Sequence, residues 1–206
     1  MPSPMPRRGL YAITQPSPVL LSQVEAVLQG GVVLLQYRDK LTQCISQRVR
    51  LAQQLHQQCQ HYGVPLIIND DIELAYRVQA EGIHLGKTDA DLALARQRLG
   101  TQAIIGVSCY NELERALQAQ AAGADYVAFG RFFASSTKPE AVLARPALLT
   151  LAKTQLTLPM VAIGGITPDN GAQLLRAGAD MLAVIGGIFG QPAIKPVMRR
   201  YTGLFA

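Results

Sequence analysis

The sequence lacks any run of apolar residues long enough to cross a lipid bilayer. A transmembrane helix needs about 18 or more consecutive apolar residues, and polar residues or glycine interrupt every apolar run here well before that. The sequence therefore predicts no membrane partner. The chain also lacks a long Pro-, Gly- and Ser-rich segment or a block of like charges that would mark a linker. Its 206 residues are predicted to form one domain.

Cysteine is scarce, since the chain has three, at Cys44, Cys59 and Cys109, with no CxxC spacing. This pattern is typical of free thiols in a reducing compartment, so a cytoplasmic location is predicted. An arginine pair near the N-terminus is not followed by the apolar stretch of an export signal. Residues 1–9 are therefore predicted to be a disordered lead.

Charged residues make up only 16% of the chain and hydrophobic residues 49%, which leaves material for one large core. The formal net charge is +5. The basic residues are scattered rather than clustered, so no nucleic-acid partner is predicted. The excess charge is compatible with solubility alone or with attraction of anionic small molecules.

Eight short apolar runs recur along the chain. Most of them, such as Val32–Leu35, are apolar at both odd and even positions. This pattern is typical of strands buried on both faces, in a parallel sheet covered by helices. The predicted strands are Leu10–Thr14, Val32–Arg38, Pro65–Asp70, Gly82–Gly86, Ile104–Cys109, Tyr126–Phe133, Met160–Gly165 and Met181–Gly187.

Segments with helical periodicity separate these runs. Two of them are Ser46–Tyr62 and Asn111–Ala122, with Asn111 as the predicted N-cap. We predict that a helix ends at a glycine and leads through a short turn into a strand at Gly123–Asp125 and at Gly178–Asp180. Glu81–Gly82 matches this pattern less closely. Eight such units predict an α/β fold, a short single-domain (β/α)8 TIM barrel. A Rossmann-like open sheet is the rival, but no GxGxxG follows the first strand.

In such a barrel the chemistry lies at the carboxyl ends of the strands. Arg38 and Lys40 end strand two on the same parity as Gln36, and two cations with an amide suit a diphosphate. Glycine pairs at 164–165 and 186–187 end strands seven and eight, where backbone N–H groups commonly hold a phosphate. The simpler alternatives are a solvated loop end and two tight turns.

Asp70 and Asp89 follow strands three and four, which are neighbours about 4.8 Å apart, so both carboxylates could bind one Mg²⁺. Alternatively both are helix N-caps, with Asp70 and Glu73 imitating a capping box. The hydroxyls and Lys138 of the loop after strand six could bind a second anion, or the loop has no role. His84 is predicted to be a hydrogen-bonded barrel residue rather than a base.

Along its whole length the chain resembles the thiamine phosphate synthase family. No single motif establishes the resemblance, but the order of the matching motifs at successive strand ends is highly specific. The resemblance is carried by Gln36-Tyr37-Arg38-Asp39-Lys40, Ile68-Asn69-Asp70-Asp71, Gly82-Ile83-His84-Leu85-Gly86 with Asp89, Gly106-Val107-Ser108, Thr137-Lys138 and Ala162-Ile163-Gly164-Gly165-Ile166.

The resemblance implies an enzyme that joins hydroxymethylpyrimidine diphosphate to a thiazole phosphate, two small phosphorylated heterocycles, with Mg²⁺ as cofactor. Asp70 and Asp89 would bind Mg²⁺, and Arg38, Lys40, Ser108 and Lys138 would be catalytic. The motif containing Gln36 would also place Tyr37 and Asp39 at the substrates. By resemblance, Gln36, Arg38, Lys40, Asn69 and Lys138 would hold the diphosphate substrate, Ser108 its pyrimidine, and Ser135, Ser136, Thr137, Gly165, Ile185 and Gly186 the thiazole phosphate.

The chain departs from the family pattern at a few positions. Lys87 stands where many members have glutamine, Tyr110 where many have histidine, and Gly186 where a small hydroxyl residue is usual. These changes put in question the affinity of the metal and phosphate sites. Three alternatives remain: the thiazole tautomerase branch of the superfamily, a sugar-phosphate isomerase or aldolase, and a non-catalytic phosphate-binding barrel. The sequence does not predict the oligomeric state.

Overall fold

The computed structural model describes residues 5–86, 89–134 and 142–206, without the side chains of 89–91. Eight parallel strands form a closed barrel in chain order, with β8 paired to β1. The strands are β1 Gly9–Ile13, β2 Leu34–Tyr37, β3 Leu66–Asn69, β4 Gly82–Leu85, β5 Ile104–Tyr110, β6 Tyr126–Phe129, β7 Met160–Ile163 and β8 Met181–Val184. The predicted (β/α)8 barrel is confirmed.

Helices follow the strands and cover the outside of the barrel. They are α1 Leu20–Gln29, α2 Ile45–Tyr62, α3 Ile72–Val78, α4 Asp89–Leu99, α5 Leu113–Ala121, α6 Pro146–Lys153, α7 Gly171–Ala177, the short α8 Gly186–Phe189 and α9 Ile194–Thr202. Within the described residues no helix is both long enough and apolar enough to span a membrane. Cys44, Cys59 and Cys109 form no disulfide, as predicted.

The strands are apolar on both faces because the barrel has two hydrophobic cores. In β1, Leu10 and Ala12 pack outward against the helices, whereas Tyr11 and Ile13 point into the barrel interior. Successive side chains of a strand point to opposite faces, so each strand supplies both cores. The interior core is a filled layer of side chains rather than a pore.

The amino-terminal end of the barrel carries a repeated ion-pair motif. The acidic residues that directly precede β4, β6 and β8 each accept a hydrogen bond from a backbone N–H at the start of the preceding strand. The pairs are Glu81 with Leu66, Asp125 with Ile105, and Asp180 with Met160, at 2.8, 2.8 and 2.9 Å. Each acid also pairs with a basic side chain, namely His56, Arg96 or Lys153. The Gly-Ala-Asp sequences at 123–125 and 178–180 each supply the aspartate of this motif.

Glu81 gives the motif a measurable pH dependence. Burial alone would raise the pKa of Glu81, but hydrogen bonds from His56 and the Leu66 N–H outweigh it and lower that pKa. Such a carboxyl stabilises the fold above its unfolded pKa, near 4.3, and this contribution is lost as the pH falls through the folded pKa. Urea titrations should show Glu81→Ala less stable than wild type by about 1–3 kcal/mol near neutral pH. That difference should shrink below about pH 4.3, and a pH-independent difference would contradict the ionic role.

Several local predictions need correction. Residues 1–9 are not all a disordered lead, because β1 begins at Gly9 and Met5 packs against the interior core, while residues 1–4 lie outside the described part of the chain. Strand β8 ends at Val184 instead of Gly187, and Gly186 begins α8. Asn111 is not an N-cap, since α5 begins at Leu113 and no side chain caps it. Strand β6 ends at Phe129 instead of Phe133, because the chain turns at Gly130, where a Cβ atom would lie 2.1 Å from the Ile163 carbonyl oxygen.

Candidate active site

A cavity of about 350 Å³ opens at the carboxyl ends of the strands. All eight strands contribute to its wall, and the loops after β2, β6, β7 and β8 form its rim. This is the end at which (β/α)8 barrels carry their active sites. The predicted residues that line it are Gln36, Arg38, Asn69, Ser108, Gly165, Ile185 and Gly186.

Other predicted residues lie elsewhere. Tyr37 and Asp39 do not line this cavity but a separate one beside α1 and α2. Asp89 is the first residue of α4, and its side chain lies outside the described part of the structure. Lys138 and the predicted hydroxyl residues before it, Ser135, Ser136 and Thr137, also lie outside the described residues.

The turn after β2 explains why a contiguous motif divides between two cavities. Asp39 accepts hydrogen bonds from the backbone N–H groups of Leu41 and Thr42 and from the Tyr37 hydroxyl. Burial would raise the pKa of Asp39, but these hydrogen bonds lower it below its usual value. Asp39 therefore holds the turn, and the turn places Arg38 at the cavity.

Lys40, Asp70 and Asn69 form one polar cluster beside the cavity. Lys40 Nζ lies 2.7 Å from Asp70 Oδ2, and Asn69 Nδ2 donates to the same oxygen at 2.8 Å. The alternative that Asp70 caps a helix is wrong, because Asp71 accepts the hydrogen bond from the Leu74 N–H and caps α3. Asp70 instead adopts a left-handed backbone conformation, with φ of 61°, which directs its carboxylate to the strand ends.

The Asp70 carboxylate is a candidate ligand for a hard divalent cation. Its Oδ1 atom lies 3.5 Å from the position that a Cβ on Gly86 would occupy, so it faces the end of β4. Asp89 begins α4 three residues after Gly86. Carboxylate oxygens are the ligands that Mg²⁺ prefers. Among the described side chains no group of three or more His, Cys, Asp or Glu residues forms a metal cluster.

The loop after β7 depends on two glycines. Gly164 and Gly165 have φ of 102° and 62°, in the region that side chains rarely adopt. A Cβ on Gly165 would lie 2.2 Å from the Ala134 carbonyl oxygen. Asn170 Nδ2 donates to the Gly165 carbonyl at 3.0 Å and fixes the loop from the other side. Gly186 is different, because a Cβ there meets no atom within 4 Å.

The cavity contains groups that sequence reasoning missed or undervalued. Tyr11 and His84 line it from β1 and β4, and Arg131 adds a second cation, after Arg38, to its lining. The prediction that His84 is a hydrogen-bonded barrel residue is confirmed, since both ring nitrogens have partners. The inward parity of Tyr11 and the direct position of Arg131 after β6 were the available signals. No pattern in the sequence pointed to Asn170.

Comparisons with known proteins show which family the chain belongs to. The family described as thiamine monophosphate synthase matches residues 10–188. The chain is 52% identical over 202 residues to the thiamine-phosphate synthase of Nitrosococcus oceani, covering 96% of this chain and 93% of that relative. It is 53% identical over 204 residues to the thiamine-phosphate synthase of Azoarcus sp., covering 97% and 98%.

A solved structure extends the similarity to three dimensions. Thiamine phosphate pyrophosphorylase from Pyrococcus furiosus matches with a TM-score of 0.86 and 29% sequence identity, covering 96% of this chain and 95% of that one. The family profile spans most of the chain, and the two relatives far exceed 30% identity over nearly its full length. This chain is therefore a member of the thiamine monophosphate synthase family.

Proposed function

We propose that the protein joins 4-amino-2-methyl-5-hydroxymethylpyrimidine diphosphate to a (carboxy)thiazole phosphate, giving thiamine phosphate and pyrophosphate. The observation that carries the proposal is the convergence of Gln36, Arg38, Asn69 and Ser108 on one cavity in a chain of this family. Free thiols and the missing membrane span in the described residues agree with a cytoplasmic enzyme acting on two small molecules.

The diphosphate is the group that must leave, and the site supplies charge for it. Arg38 and Asn69 line the cavity, and Lys40 lies beside them in its pair with Asp70. Cations and an amide at the diphosphate stabilise the negative charge that develops as the C–O bond breaks. We include Lys138 in this set because it stands four residues after Ala134, which lines the cavity.

The reaction needs no protein nucleophile in this scheme. Loss of pyrophosphate leaves a stabilised pyrimidinylmethyl cation, and the thiazole nitrogen forms the new C–N bond. The protein's contribution is to orient the two rings and to hold the leaving group. In this proposal Gln36 and Ser108 hold the pyrimidine, and Gly165, Ile185 and Gly186 hold the thiazole phosphate; the support is that all five line the cavity. Ser135, Ser136 and Thr137 complete the proposed phosphate site.

Mg²⁺ is part of the proposal, with Asp70 and Asp89 as its ligands. Bound there, Mg²⁺ would neutralise charge on the departing diphosphate. Asp70 also holds Lys40 at 2.7 Å, which keeps a cation oriented at the same place. The two roles of Asp70 are compatible because its carboxylate has two oxygens, and Lys40 and Asn69 both bond to Oδ2.

A coupled assay tests the proposal directly. Purified protein is mixed with both phosphorylated heterocycles, with Mg²⁺ or with EDTA, and thiamine phosphate and pyrophosphate are measured. Equal amounts of both products, formed only with Mg²⁺, are expected. Isomerised thiazole without use of the pyrimidine would show a tautomerase. Tight thiazole phosphate binding without any turnover would show a binding protein, and either result would overturn the proposal.

A further inference from the structure

A chain of four hydrogen bonds crosses the interior of the barrel beneath the cavity. Gln36 Nε2 lies 2.7 Å from the Tyr11 hydroxyl, which lies 2.9 Å from the Tyr126 hydroxyl. The Tyr126 hydroxyl lies 2.9 Å from His84 Nδ1, and His84 Nε2 lies 2.9 Å from Ser108 Oγ. The chain thus joins five strands, and both of its end residues, Gln36 and Ser108, line the cavity.

The barrel interior is shaped around this chain. Tyr11 and Tyr126 are at most 1% exposed, and their rings meet edge to face. The Tyr126 ring also stacks against His84. Gly106 leaves the space for it, because a Cβ there would lie 1.9 Å from Tyr126 Cζ. Two phenols in the centre of a hydrophobic core are costly unless their hydroxyls are bonded, and here both are.

The bonds of the chain run in one direction. Burial raises the pKa of both phenols well above the usual value, so each keeps its single proton. The Gln36 amide donates to Tyr11, and we assign the Tyr11 proton to Tyr126 and the Tyr126 proton to His84 Nδ1, since this direction leaves neither buried phenol proton without an acceptor. His84 Nε2 therefore carries the ring proton and donates it to Ser108 Oγ.

The direction of this chain of hydrogen bonds determines which donors and acceptors Gln36 and Ser108 can offer to a ligand. Ser108 Oγ already accepts from His84, so its own proton is available to donate into the cavity. The bond to Tyr11 uses one of the two Gln36 amide protons and fixes the amide, so its carbonyl oxygen and its second N–H remain for a ligand. The cavity thus has an oriented amide on one side and an oriented hydroxyl on the other.

We infer that Tyr11 and Tyr126 are positioning residues that, through this chain, make the cavity selective for an aminopyrimidine over the corresponding oxopyrimidine. This inference rests on the proposed function. An aminopyrimidine donates from its exocyclic amino group and accepts at a ring nitrogen, which matches Gln36 and Ser108. An oxopyrimidine accepts at its carbonyl and donates from a ring N–H, so Gln36 and Ser108 would have to reverse the roles that the hydrogen-bond chain favours.

The tautomer of His84 tests the direction of the chain without any substrate. The full-length protein with ¹⁵N-labelled histidine is examined by NMR near pH 8, and the His84 signals are assigned with a His84→Gln variant. The expected result is a protonated Nε2 and an unprotonated Nδ1. The opposite tautomer would overturn the inference.

Kinetics test the selectivity. For wild type and for Tyr126→Phe, kcat/KM is measured with the aminopyrimidine diphosphate and with its 4-oxo analogue. The variant is expected to reduce the ratio of the two values by roughly 10- to 100-fold, with the KM for thiazole phosphate unchanged. Tyr62→Phe, which removes a hydroxyl between α1 and α2, is the control and should leave the ratio unchanged. An unchanged ratio in Tyr126→Phe would overturn the inference.

A double variant distinguishes one connected chain of hydrogen bonds from two contacts that act independently. If Tyr11 and Tyr126 act as one chain, Tyr11→Phe should lower the same ratio, and the double variant should lower it no further than a single one. Multiplying effects would contradict a single chain. Failure of every form of the protein to make thiamine phosphate would refute the proposed function, whereas the His84 tautomer would still report on the chain.

Discussion

Replacing Asp70 with asparagine is expected to reduce Mg²⁺-dependent formation of thiamine phosphate by about 10²-fold or more, with little change in stability. The Asp70 side chain is 45% exposed and caps no helix, so its charge is not needed for folding. Asparagine tolerates the left-handed backbone at this position, where φ is 61°. Steady-state rates across a range of Mg²⁺ concentrations, together with a thermal melt, measure both effects.

The neighbouring aspartate is the matched control. Asp71→Ala removes the N-cap of α3 and the ion pair with Arg48, so it should lower the free energy of unfolding by about 1–2 kcal/mol. It should leave the Mg²⁺ requirement intact. If Asp70→Asn turns over at the wild-type rate at every Mg²⁺ concentration, Asp70 is not a metal ligand.

Lys40 distinguishes the two roles of Asp70. If Asp70 serves only to orient Lys40, then Lys40→Met and Asp70→Asn should lower the rate equally, and neither should change the Mg²⁺ concentration at half-maximal rate. A metal ligand predicts a different result, in which only Asp70→Asn raises that concentration.

Gly165→Ala is expected to lower kcat/KM for thiazole phosphate by roughly 10²-fold. The new Cβ would lie 2.2 Å from the Ala134 carbonyl oxygen and 2.9 Å from the Phe133 carbonyl carbon. Both contacts are with backbone, so the loops after β6 and β7 must separate, which displaces the proposed phosphate site. Alanine at a φ of 62° adds about 1 kcal/mol of strain.

Gly63→Ala controls for that strain. Gly63 has nearly the same φ, 65°, at the end of α2, and a Cβ there meets no atom within 4 Å. It should lose about 1 kcal/mol of stability and keep wild-type kinetics. Equal kinetic behaviour of the Gly63 and Gly165 variants would refute the proposed role of the loop after β7.

The barrel could be predicted from the sequence because its strands are buried on both faces. Runs such as Val32–Leu35 carry apolar residues on both parities, and only a covered parallel sheet accommodates many such runs. The ends of the elements were less predictable. Asn111 has the chemistry of an N-cap, yet Tyr110 continues β5 and α5 begins later, at Leu113.

The site was predictable where polar residues stand at or near the carboxyl ends of strands, and less so deeper in the barrel. Gln36, Arg38 and Asn69 stand where strands stop, and the fold brings these ends together. Tyr37 and Asp39 belong to the same motif, but alternation turns them away from the cavity. The bonds between Tyr11 and Tyr126 join residues 115 positions apart, and no local pattern encodes such a pairing.

The acidic residues at 81, 125 and 180 precede β4, β6 and β8, three of the four even-numbered strands, and lie at the end of the barrel opposite the cavity. Strands of four residues separate the two ends by roughly 13 Å, so groups at one end do not contact groups at the other. The residues that bind ligands and the residues that hold the strands together therefore lie at opposite ends of the barrel. Loops at the cavity can change in sequence while the ion pairs at the base keep neighbouring strands in register, so new specificities can evolve on an unchanged frame.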